Sequence, residues 1–308
     1  MTGFALALIL LAAALHATWN LAAKRAASGL PFVWISGVLS LALWTPVTLI
    51  YLWRYPHQLT GLGVGFMVLS GVLHAGYSLF LQRAYRAGDF SLVYPVARGT
   101  GPLLSSIAAI AFLGERPSPL ALAGGLTIIS SIFWLTGGFE KVGRVILNAP
   151  GLRRHRKASA PAAAAQSSHL AAIGYGVGTG AFIAAYTVAD RQGVTLAAVP
   201  PLLLDWGGGL ARTALFAPFA VARWPEVRTV WRDHKLACYA VAVLGPLAYI
   251  LVLWAMTFTP LTAVAPAREV SILFAAMLGA RVLNEGDTRR RLTAAAAMAL
   301  GVVALALG

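Results

Sequence analysis

Two arginines, Arg98 and Arg268, lie deep inside long apolar stretches of a chain in which charge is scarce. A guanidinium offers a planar fork of donors that matches a carboxylate or a phosphate in two parallel hydrogen bonds. In hydrocarbon such a charge costs roughly 2.5–3.5 kcal/mol on insertion scales, so its presence calls for a partner or a task. Two readings follow. Arg98 and Arg268 clamp an anionic ligand, or each is structural, satisfying helix carbonyls or pairing with an acid such as Glu269. Glu269 is in turn the candidate to gain and lose a proton during a working cycle, or else the fixed partner of an arginine on another helix. Neighbours in sequence point to different helix faces, so Glu269 is not expected to pair with Arg268.

Further polar residues fall at helical spacing. His16 and Asn20 are four apart, as are Tyr186 and Asp190, so each pair shares one face. A polar face within an apolar bundle must look inward, to line a cavity or to bond between helices. Asn20 and Asp190 also stand where their helices are expected to end. His74 and Tyr77 share a face at i, i+3 and are candidates to line the same cavity, with a hydrogen-bonded structural histidine as the alternative. Asp205 forms another buried polar point, with Arg212 two turns further on and too distant for easy contact. Glu115 and Glu285 each close an apolar run and are expected to tie helix ends to neighbouring loops. GYGVGTGA, from Gly174, carries a G-x-G-x-x-A spacing. That spacing implies dinucleotide binding only after a strand, so here the glycines are read as close-packing positions on a helix.

The elements that must position these residues are apolar helices. Of 308 residues, 59% are hydrophobic and only 11% charged, against about 25% charged in a soluble domain. Runs long enough to cross a bilayer are expected at Phe4–Leu21, Phe32–Trp53, Leu62–Leu81, Ser91–Leu113, Leu120–Gly138, Leu170–Ala189, Val199–Val221, Leu236–Phe258, Thr262–Leu283 and Leu292–Leu307. The first run lacks the basic flank of a signal peptide and is read as a retained helix. The break between the eighth and ninth runs is only a short Thr-Pro step. The fold expected is all-α and membrane-integral: ten transmembrane helices forming two inverted five-helix repeats around a central cavity. Residues 1–139 form the first repeat and 170–308 the second, with 140–169 a basic, then Ala-, Pro- and Ser-rich linker.

The repeat rests on a shift of 170 residues, which brings Ala97-Arg98 onto Ala267-Arg268, Pro31 onto Pro201 and Glu115 onto Glu285, and sets His16 and Asn20 against Tyr186 and Asp190. An odd number of helices per half inverts the second half relative to the first, as in many secondary transporters. The net charge of +14 collects in loops, which argues for membrane orientation rather than nucleic acid. Loops after odd-numbered helices hold most of the Lys and Arg, whereas the others hold Arg54, Arg116 and Arg191. The linker is thus expected in the cytoplasm of an inner-membrane protein, with both termini and the even loops outside. The single cysteine, Cys238, excludes an intrachain disulfide and a multi-cysteine metal site.

YPVARGTGPLLSSIAAIAFLGERPS, from Tyr94, resembles the fourth helix of EamA-type members of the drug/metabolite transporter superfamily. VAPAREVSILFAAMLGARVLNE, from Val264, resembles the matching helix of their second repeat, and LHATWNLAAK at Leu15–Lys24 resembles their first helix. The resemblance covers nearly the whole chain. It implies a ten-helix carrier with a central cavity and leaves the cargo open, among amino acids, sugars, nucleotide-sugars, phosphorylated metabolites and drugs. The paired ARG and ARE motifs also resemble a subgroup linked with phosphonate metabolism. The function expected is alternating-access transport of a small anionic or zwitterionic metabolite, such as an amino acid or a phosphorylated or phosphonate compound. Efflux of hydrophobic cationic drugs is the alternative within transport. A membrane-embedded lipid-modifying enzyme and a channel or receptor are the alternatives outside it. No Walker A sequence is present, so no ATPase is expected to drive the cycle. No cofactor, metal or nucleic acid is expected either; the partners expected are substrate and membrane lipid, and a monomer suffices.

Overall fold

The computed structural model describes residues 1–25, 29–87, 90–136, 139–140, 142–143, 160–274 and 288–308. Ten α-helices and no strands occur among them. These are α1 (Gly3–Arg25), α2 (Leu30–Arg54), α3 (Gly61–Ala87), α4 (Phe90–Phe112), α5 (Pro119–Thr136), α6 (Ala160–Thr195), α7 (Pro201–Val221), α8 (Trp224–Phe258), α9 (Leu261–Ala267) and α10 (Thr288–Leu307). Five of them, α1, α2, α3, α6 and α8, contain spans long and apolar enough to cross a membrane; α4, α5 and α10 contain shorter apolar stretches. The outer surface is apolar as well: Leu49, Ile50, Leu300 and Phe112 are 60–83% exposed. Exposed apolar area this widespread suits hydrocarbon rather than water.

Several boundaries differ from the sequence reading for local reasons. α6 extends back through 160–169, the Ala-rich part of the expected linker, because alanine is the strongest helix former. Residues 144–159 of the linker lie outside the described residues. α8 starts at Trp224, with proline in its first turn, and carries a surface segment before a kink at His234 (φ −132°, ψ 27°). The ninth run is divided: α9 gives way to a 3₁₀ turn at Arg268–Val270 just after Pro266, which removes one backbone donor from the ladder. Residues 275–287, including Glu285, lie outside the described residues.

The helices pair in a regular way. α1 packs on α8 and α3 on α6; α2 packs on α8 and α7 on α3. α2 also meets α7, α4 meets α9, and α5 meets α10. Glycines permit the tightest crossings. A Cβ on Gly71 in α3 would stand 2.6 Å from the Gly208 carbonyl of α7, and Gly176 and Gly180 of α6 take Val96 and Thr100 of α4 against their bare backbone. The first core shared by the two halves includes Ile9, Ile128, Ile132, Leu203, Leu253, Met256 and Met298.

One cap fixes where α9 begins. α4 ends on Gly114, at φ +68°, with the Glu115 N–H donating back to the Ala109 carbonyl, six residues earlier. This left-handed ending is cheap for glycine alone. It turns Glu115 toward the start of α9, where its two carboxylate oxygens accept from the Leu261 and Thr262 N–H groups at 2.7 and 2.9 Å. Glu115 therefore ties a helix end to a neighbouring element, as expected, by satisfying the orphan donors of α9. Glu115→Ala leaves both donors without that acceptor. The expected result is a loss of about 1–3 kcal/mol, read as a lower thermal unfolding midpoint in detergent, with Glu115→Gln intermediate.

Candidate functional site

Arg98 leaves α4 toward the bundle interior, and Arg268 leaves the 3₁₀ turn behind α9. The side chains of both are 12% exposed, and between them lies Glu269, 1% exposed. Arg98 Nη1 is 3.5 Å from Glu269 Oε2, and Arg268 Nε is 3.6 Å from Glu269 Oε1. The pairing with Arg268 differs from the sequence expectation. The 3₁₀ turn changes the facing of adjacent residues, and the long arginine stem folds back across its neighbour. One carboxylate thus serves two guanidiniums.

Each arginine has a second partner on a different helix. Arg98 Nη2 donates to His16 Nε2 of α1 at 3.1 Å, and Arg268 Nη2 donates to the Tyr186 hydroxyl of α6 at 3.0 Å. Arginine has no acceptor, so the histidine nitrogen must accept. A shift of 170 residues turns the first pair into the second; both span 82 residues. The rings add cation–π contacts: Arg98 lies 5.8 Å from the centre of Tyr94, and Arg268 lies 5.9 Å from that of Tyr186.

An aromatic group continues from Tyr186. His74 of α3 stacks on Tyr186 with ring centres 3.9 Å apart, and Tyr77 meets it edge-on at 5.9 Å. Tyr249 of α8 stands edge-on to His74 at 5.5 Å and donates its hydroxyl proton to Asp190. His74 Nδ1 lies 2.9 Å from the Ser70 carbonyl, one turn back. The result is one connected polar seam through an apolar bundle, running from His16 to Asp190.

A cavity of about 70 Å³ opens beside Arg98, lined by Asn20, Tyr77, Tyr94 and Thr179 among others. The space is small for a metabolite, which fits a closed arrangement of the bundle. Asn20 also donates to its own helix, at the His16 carbonyl.

The structure therefore gathers His16, Asn20, His74, Tyr77, Arg98, Tyr186, Arg268 and Glu269 around one centre. Asp205 stands apart from these contacts. It lines a second cavity of about 20 Å³ between α2, α7 and α8, together with Trp44, Trp206 and Arg212. Trp206 is anchored there by donating to Thr45 Oγ1 at 2.9 Å. Asn20 and Asp190 do not end their helices: α1 continues to Arg25 and α6 to Thr195. Asp190 is fully buried and sits inside α6 because Tyr249 supplies a donor. The sequence reading missed Tyr94 and Tyr249. Tyr94 precedes Arg98 by one helical turn, a spacing that could have disclosed it; Tyr249 sits alone in an apolar run and gave no comparable signal.

Residues 3–137 match the model of the EamA-like transporter family. The match covers 135 of the 308 residues. That stretch is thus similar to membrane transporters of the drug/metabolite type, and it is the part of the chain that contributes His16 and Arg98. A solved structure described only as "Crystal structure of protein" is similar to it, with a TM-score of 0.71, 19% sequence identity, and coverage of 100% of this chain and 98% of that chain. At that identity the likeness establishes the fold alone. No protein of curated function matches the sequence.

Shared use of one carboxylate has a measurable consequence. Glu269→Gln leaves two buried guanidiniums without their common counter-charge, and breaking a buried pair from one side costs about 3–5 kcal/mol. The thermal unfolding midpoint is expected to fall steeply. Adding Arg98→Gln to Glu269→Gln should recover part of the loss, because the double variant removes a charge that the single variant strands. Strictly additive losses would show that the two residues do not interact.

Proposed function

We propose that this EamA-type transporter carries a small anionic or zwitterionic metabolite, held between Arg98 and Arg268, by alternating access of two inverted five-helix halves. The observation that carries the proposal is that Arg98 and Arg268 share Glu269 as their one ion-pair partner among the described residues. The two guanidiniums have only this one carboxylate in direct ion-pair contact and are buried, where electrostatic attraction is poorly screened, and an incoming carboxylate, phosphate or phosphonate is the species that would complete the pairing. Glu269 then acts as a resident counter-anion that keeps the empty site tolerable and yields one arginine to the cargo.

The helix pairing supports an inverted repeat. Exchanging each helix with the one five places along converts α1 on α8 into α6 on α3, and α2 on α8 into α7 on α3, while α2–α7, α4–α9 and α5–α10 map onto themselves. The matching Arg98–His16 and Arg268–Tyr186 pairs extend the same relation to the site. Halves related in this way can exchange conformations and open one site to either side. The Met1 amino group donates to the Ala306 carbonyl at 3.1 Å, which supports both termini lying on one side. Together with the Lys and Arg bias of the loops, this supports an orientation in the inner membrane with both termini outside.

Thermal stabilisation of the detergent-purified protein tests the cargo class. The panel would contain amino acids, phosphorylated metabolites, phosphonates and hydrophobic cationic drugs. A ligand of the folded state at a hundred times its Kd stabilises by about 2.7 kcal/mol. Anions are expected to raise the melting point, and Arg98→Ala or Arg268→Ala to abolish the rise. A rise produced only by cationic or neutral compounds, retained in both arginine variants, would overturn the anion reading and turn attention to Asp205 and its cavity.

A further inference from the structure

The start of α8, through the kink at His234 and the residue after it, carries a pattern that the proposed transport site does not use. Trp224, Arg228 and Trp231 follow one another at spacings of four and three residues, which places them along one face of a helix, and Lys235, the residue after the kink, joins that stripe through its contact with Trp231. The face alternates indole and cation. The Arg228 guanidinium lies 6.0 Å from the centre of the Trp224 ring, and Lys235 Nζ lies 5.5 Å from that of Trp231. Both cations are exposed, and among the described residues neither has a hydrogen-bond or ion-pair partner.

The segment's other charges are already matched. Arg232 forms two hydrogen bonds to Asp233, at 2.7 and 3.1 Å, and Arg223 lies 4.0 Å from Glu226. Glu226 and Asp233 fall on the side of the helix away from the indole–cation stripe. Val227 is buried, and Val230 packs with Phe32 and Cys238, so the segment is fixed to the bundle by an adjacent face. Trp224 is 43% exposed, and Leu236, just past the kink, is 86% exposed. A docked helix with one exposed and one half-buried indole, an exposed leucine and cations without an acidic partner among the described residues has the character of an element lying at a bilayer surface.

We propose that this stripe is a binding site for anionic phospholipid headgroups. The indoles seat at headgroup level, and Arg228 and Lys235, held beside the rings, each take a lipid phosphate. The inference rests on the chain's place in the membrane and is independent of the cargo and of the anion reading of the central site.

The test compares two double variants that remove equal charge. The full-length protein would be exchanged into bilayers of phosphatidylglycerol and phosphatidylcholine, and the phospholipid retained would be counted by native mass spectrometry. R228Q/K235Q is expected to bind phosphatidylglycerol roughly thirtyfold more weakly, from two juxtamembrane cation–phosphate contacts. R223Q/R232Q, whose residues are paired with acids, is expected to retain it. All four positions are on the surface, and an unchanged melting midpoint would show that both proteins are folded. Equal losses in the two variants would reduce the effect to net charge and overturn the site. Wild-type retention in R228Q/K235Q would overturn it as well, as would displacement of the lipid by inorganic phosphate alone.

Discussion

The constraint on which the rest depends is the cost of two guanidiniums inside an apolar bundle. Arg98 and Arg268 are nearly buried and arise from different halves, and one carboxylate lies between them. Buried charge is tolerable only when paired and hydrogen-bonded. Much of the interior can be understood as the answer to that demand. His16 and Tyr186 each supply an acceptor from a neighbouring helix, and Tyr94 and Tyr186 present ring faces to the cations. The helices that carry these residues are thereby held to one another by polar contacts, in a surrounding where packing between apolar surfaces gives little preference over lipid.

The same logic governs the place where regular helix gives way. α9 is short, contains Pro266, and tightens into a 3₁₀ turn at the point where Arg268 and Glu269 must both face the seam. Its buried N-terminal donors, which have no partner within the helix, are taken up by Glu115, which Gly114 turns into position from the end of α4. A departure from regular geometry beside the site is thus supported by a capping residue from the other half of the chain. Pairing of Arg98 with Glu269 and of Glu115 with α9 joins the two halves of the chain at two points.

Much of this organisation was legible in the sequence because charge is so rare in it. Arg98, Arg268 and Glu269 are conspicuous among apolar residues, and the recurrence of Ala-Arg after 170 residues pointed to two related halves. His16 and Tyr186 were legible from that same register, and their contacts with the two arginines follow it. What remained hidden depended on local geometry or on a single residue. The Arg268–Glu269 pairing needs a 3₁₀ turn that helical periodicity does not announce. Asp190 was read as a helix end because an acid at the close of an apolar run usually is one; its partner Tyr249 carries no pattern of its own. Asp205 was grouped with the site for its polarity alone, and the fold assigns it to a separate cavity.

The most direct test of the central claim is an experimental structure of the protein with the anion that most raises its melting point. The account predicts density for the anionic group between Arg98 and Arg268, with at least one guanidinium withdrawn from Glu269 to meet it. Density in the Asp205 cavity, with both arginines still on Glu269, would contradict it.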